Sequence, residues 1–171
     1  MTTTAVRPPR AVPQGDTDLL NQWVDVAPHH GAGPLRKADA HCVRVLRSSA
    51  AARIRFCGLE DLIDEVMLLV SELVTNAVLH SGTSRVGLVM AVREGFLHID
   101  VIDGMPGHAT PKQVGSDAES GRGLALVQMV VEERGGAWGT RDTGSTTWCR
   151  LAVPEEAVEL LRAKQCLAEE R

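Results

Sequence analysis

Between Leu62 and His80 apolar residues return every third or fourth position. At 100° per residue Ile63, Met67, Val70, Val74 and Ala77 fall on one stripe, which predicts an amphipathic helix. Glu72 points away from that stripe with Glu65 and Asn76 beside it, yet Leu68, Leu69 and Leu79 share its side. A solvated polar face is the plainer reading of such carboxylates. The three leucines favour the other reading, a second face roofing a cleft.

Elsewhere the period changes with the element. Leu35, Ala38, Val43 and Leu46 recur at helical spacing and predict a helix from Leu35 to about Ala52, with Gly58 as a stop signal in the following turn. A short strand is expected around Asn21 to Val26. Alternation then takes over: Val86, Leu88, Met90 and Val92 on one strand face, and Leu97, Ile99 and Val101 on the next, turning at Arg93-Glu94-Gly95. Residues 104–120 have no apolar period and are rich in Gly and Pro, the composition of a loop kept for a ligand. A helix follows from Gly123 to about Arg134, then a hairpin of AWGTR and TTWCRLAV, then a helix introduced by Pro154 and running to about Glu169.

This order predicts an α+β fold, a two-layer sandwich with a mixed sheet and its helices on one face. Three segments are expected: a disordered tail over 1–18, the domain over 19–153 and a C-terminal helix over 154–171. The chain has 171 residues and 44% hydrophobic content, enough for one sizeable core. Eighteen basic residues against 22 acidic ones give a net charge of -4, so there is no cationic field for a polyanion, and with no Tyr and two Phe few stacking platforms for bases are left, which makes nucleic acid a poor expectation. No apolar window is long enough to span a bilayer, and Cys42, Cys57, Cys149 and Cys166 lack C-x-x-C spacing, so reduced thiols in the cytoplasm are expected.

Three groups carry chemistry. Glu72 and Asn76, one turn apart, offer oxygens that suit Mg²⁺ and its retained waters, and Glu72 can also accept a proton. His80, a turn further on, fits a helix-end role better than catalysis. Asp103 ends the strand FLHIDVID with the parity of Leu97, Ile99 and Val101, so a carboxylate is due on the buried side; alone it could simply start a turn with Gly104. Ser120-Gly121-Arg122-Gly123-Leu124 opens a helix, where free N–H groups favour phosphate, although a lone G-x-G is also what a flexible loop looks like. Leu126 stands at the last glycine position of the dinucleotide fingerprint, which excludes that motif.

In order and spacing, E-x-x-x-N on a helix, a strand ending in Asp before a Gly-Pro loop, and G-x-G-L opening a helix resemble the GHKL ATP-binding fold of gyrase, histidine kinases and MutL. SELVTNAVLHSG and the late GSTTWCRL are most similar to anti-sigma-factor serine/threonine kinases of the RsbW type, over about residues 35 to 153. The resemblance implies the cofactors ATP and Mg²⁺, with Asn76 holding the metal and Glu72 as general base. It implies Asp103 at the adenine amino group, Gly107, Gly121, Arg122, Gly123 and Leu124 around the lid and phosphates, and Thr146 near the adenine. Its implied partners are a sigma factor and an antagonist (anti-anti-sigma) protein phosphorylated on Ser or Thr, and a homodimer is compatible with it. The alternative is a sequestering protein that binds nucleotide without turnover. Two positions depart from the pattern: Met105 replaces the first Gly of D-x-G-x-G, and Glu119 stands where several members have Arg, with Arg122 inside the motif instead.

Overall fold

The computed structural model describes residues 16–29, 33–106 and 122–169. The elements follow in the order β1 (Thr17–Asp25), α1 (Lys37–Phe56), α2 (Ile63–His80), β2 (Arg85–Arg93), β3 (Phe96–Ile102), α3 (Arg122–Glu133), β4 (Ala137–Arg141), β5 (Thr146–Ala152) and α4 (Glu155–Glu169). The strands form one sheet in the order β1-β2-β3-β5-β4. The α+β class is as expected, but every pairing among the described residues is antiparallel, where a mixed sheet was expected. The cause lies in the crossover through α3. It leads from β3 to a strand that is not its neighbour, because β5 turns back from β4 and fills the place between them.

Local chemistry sets the turns. Glu94 and Gly95 both adopt left-handed backbone (φ 51° and 79°), the geometry of a two-residue hairpin turn that matches strand twist. At the end of α3 two glycines serve different needs. Gly135 is left-handed, and Gly136 passes so close to the Arg150 carbonyl that a side chain there has no room.

On β3 Leu97, Ile99 and Val101 are buried while Phe96, His98, Asp100 and Ile102 are half-covered, so the helices lie on one face. Those residues join one core with Leu46, Ala50 and Ile54 of α1, Val66, Leu69, Val70, Leu73 and Val74 of α2, and Leu124, Val127 and Val131 of α3. Full burial of each such Leu, Ile or Val contributes about 1.5–3 kcal/mol. Val158 and Leu161 of α4 belong to the same core, so the C-terminal helix packs on the domain. Thr17 and Asp18, expected in the tail, are part of β1, where the Thr17 hydroxyl donates to Gln165 Oε1 at 2.7 Å. Among the described residues no helix is long and apolar enough to cross a membrane.

Candidate functional site

From Glu65 to Leu79 every residue of α2 is buried or half-buried. The helix is therefore covered on both faces. The buried stripe centres on Val66, Val70, Leu73 and Ala77, with Ile63 and Met67 at its margin. The second face carries Glu65, Leu69, Glu72 and Asn76, and at Glu65 and Glu72 it meets the two ends of α3. Two contacts of opposite sense make the helices antiparallel. Arg134, just past α3, pairs with Glu65, its Nε donating to Oε1 at 2.8 Å, and donates from Nη2 to the Asp61 carbonyl at 3.0 Å. At the other end the carboxylate of Glu72 lies against Gly123, where a methyl group on Gly123 would overlap Oε2. Glu72 and Asn76 are both half-buried and one turn apart.

Asp103 follows the last residue of β3. Its N–H donates to Ser145 O at 3.0 Å, and its carboxylate Oδ1 accepts the Met105 N–H at 2.9 Å. Burial pushes the Asp103 carboxyl above the usual carboxylate range, and the Met105 N–H offsets part of that rise. A buried hydroxyl ties this strand end to α2. Thr83 Oγ1 lies 2.8 Å from Asp103 O and 2.7 Å from Arg85 O, while the Thr83 N–H donates at 3.2 Å to the hydroxyl of Ser81, the cap of α2. Asn76 lies five residues before that cap and Glu72 nine, and Gly123 lies against Glu72.

The remaining expected residues divide. Arg122 is exposed at the start of α3, and Leu124 is buried with Val127 and Val131, so its side chain anchors the helix in the core. Gly107 and Gly121 lie outside the described residues, as does most of the loop expected to act as a lid; of it, residues 104–106 are described, with Met105 exposed. Thr146 pairs with Ile102, and Thr147 with Val101. Because Val101 and Asp103 share parity, the hydroxyl on Asp103's side of the sheet belongs to Thr147; Thr146 is on the other side, 3.5 Å from Asp142 Oδ2. The strand pairing carries that information. Local sequence shows only two adjacent threonines.

The histidine kinase-like ATPase domain model matches residues 36–151. The chain belongs to that family. Histidine kinase-like ATPase domains bind ATP, typically with Mg²⁺, and kinase or ATPase chemistry is the activity class this membership suggests. A solved structure, the histidine kinase domain from Erythrobacter litoralis EL346 blue-light activated histidine kinase, is similar at 20% identity over 78% of this chain and 70% of that chain, with a TM-score of 0.44. No curated protein matches the chain.

The residues present suit such a ligand. Glu72 and Asn76 offer a carboxylate and an amide oxygen one turn apart, a donor set that suits Mg²⁺ held by one or two protein oxygens and otherwise by water and phosphate. Among the described residues the half-buried Asp103 carboxylate is bonded through Oδ1 to the Met105 N–H, which leaves Oδ2 able to accept from an amine. The first turn of α3, which begins at Arg122, carries N–H groups with no carbonyl partner within the helix, the kind of group that binds phosphate.

Proposed function

We propose that this family member is a protein serine/threonine kinase of the anti-sigma type, acting in the cytoplasm. It would phosphorylate an antagonist protein and sequester a sigma factor. One observation carries the reading: a carboxylate able to take a proton, Glu72, meets the start of α3, with the Asn76 amide one turn away on the same face. Mg·ATP, the substrate, brings the γ-phosphoryl and the metal that spreads its charge. Asn76 holds the metal through its amide oxygen, and the first-turn N–H groups of α3 face the phosphates. Asp103 accepts from the adenine amino group, and Thr147 stands beside it. Glu72 takes the proton of the acceptor Ser or Thr hydroxyl as its oxygen bonds to phosphorus and the bond to the β-phosphate oxygen breaks, leaving ADP. Few groups are needed, because such transfer depends mainly on positioning and charge neutralisation.

Met105, in place of the first Gly of D-x-G-x-G, favours a second reading, sequestration with nucleotide bound and no turnover. The test begins with proteins that co-purify with the chain, which are incubated with Mg·ATP and examined by mass spectrometry. The kinase reading expects one phosphorylated Ser or Thr on a partner. Binding of Mg·ATP with no phosphorylated partner would select the second reading, and no binding at all would exclude both.

A further inference from the structure

We infer that Gly123 is a positioning residue for Glu72, and that α3 sets where this carboxylate stands; the inference rests on the reading of Glu72 as the base. A glycine at the mouth of a phosphate-facing helix is ordinarily explained by close approach of the ligand. Here the space that a side chain would take is already filled from within the protein. A Cβ on Gly123 would overlap Glu72 Oε2, while Glu72 Cδ would be 3.5 Å away and its Cβ 4.0 Å. Among the described residues the conflict is confined to the end of one flexible side chain. Among the described residues, and outside α3 itself, no backbone atom within 4 Å opposes a methyl group there. Gly123 also has no left-handed backbone to protect. An added methyl would therefore leave the helix intact and move the carboxylate.

The far end of α3 fixes the distance. Arg134 holds Glu65, which lies seven residues before Glu72 and on nearly the same line of α2. The two contact points are about 10.5 Å apart along α2, and Gly123 and Arg134 are about 16.5 Å apart along α3 at 1.5 Å per residue. The long Arg134 side chain spans the difference. With α3 held at that end, the gap at Gly123 decides the place of the Glu72 carboxylate, so whatever shifts α3 shifts the base.

A two-by-two set of variants tests this: Gly123→Ala, Glu72→Ala and both together, in the full chain, read by thermal unfolding without nucleotide. Alanine is the better helix former, so in the Glu72→Ala background the change at Gly123 should raise Tm by about 2–4 °C. With Glu72 present the same change should give no rise, or a fall. Equal shifts in both backgrounds would overturn the inference, whatever the protein binds. Calorimetry and transfer kinetics then separate positioning from ligand approach. Gly123→Ala should keep its Kd for Mg·ATP within about threefold while kcat for transfer falls roughly 10²-fold or more, as for a displaced base. If instead the methyl group weakens Mg·ATP to the same degree with Glu72 present and in the Glu72→Ala background, the glycine serves the phosphates and the inference fails. Absence of nucleotide binding to the unmodified protein would refute the kinase reading, and the Tm comparison would still decide the contact.

Discussion

The two ends of the site are built by different means. Around Asp103 the backbone does the work: β3 ends there, its N–H is bonded to Ser145, its carbonyl to Thr83, and strand pairing decides that Thr147 is the hydroxyl on its side. Around Glu72 side-chain room does the work, since the carboxylate lies against a residue with no side chain on a helix held at its far end by Arg134. A backbone-built end should tolerate little movement and carry recognition. An end set by packed side chains can shift with its helix, as a catalytic step asks.

Glu72→Gln attacks the side-chain end with the shape preserved. Transfer to a partner should fall by roughly 10²–10⁴-fold while Mg·ATP affinity stays close to that of the unmodified protein, as read by single-turnover kinetics and calorimetry. Transfer at the normal rate would remove Glu72 as the base. Asp103→Asn attacks the other end. Losing a charged acceptor should weaken ATP by about 10- to 150-fold, the range for a hydrogen bond to a charged group. Acidification should imitate it. Burial raises the Asp103 carboxyl, so the protonated form persists above the ordinary carboxylate range, and affinity should decline as pH falls through that window in the unmodified protein but not in Asp103→Asn. The folding term has the opposite sense. A raised carboxyl favours the protonated fold, so its ionisation costs stability that is fully lost above the raised value and regained below the ordinary one.

Smaller effects sharpen the contrast. Thr147→Val should weaken ATP by about 2- to 12-fold, the worth of one neutral hydrogen bond, and Thr146→Val should leave affinity unchanged. The reverse order would mean that strand parity misplaces the hydroxyl. Arg134→Ala removes a partly exposed ion pair, so its stability cost is modest, about 1 kcal/mol or a Tm fall of about 2–4 °C. Its informative readout is kcat, which should drop more than ATP affinity as α3 loosens.

The same division explains what the sequence made legible. The places of Glu72 and Asn76 on α2 and of Asp103 at the end of β3 could be read because they follow from periods of 3.6 and 2 within one element. The stop at Gly58 was visible too, and α1 continues to it past Ala52 because Leu46, Ala50 and Ile54 keep the apolar phase. Facts that depend on two elements meeting were not. The parity of Thr147 needs the β3–β5 register, the antiparallel sheet needs the place of β5, and the core role of Leu124 needs α3 docked on α2. The contact of Gly123 with Glu72, 51 positions away, leaves no trace in either local pattern.

The central claim is that Asp103, Asn76 and Glu72 belong to one adenine-nucleotide site. Calorimetry of the full chain with ATP and with GTP, each in the presence of Mg²⁺, tests it most directly. The account predicts saturable ATP binding, weaker GTP binding, and loss of the difference in Asp103→Asn. Equal affinity for the two nucleotides, or no heat from either at millimolar concentration, would contradict it.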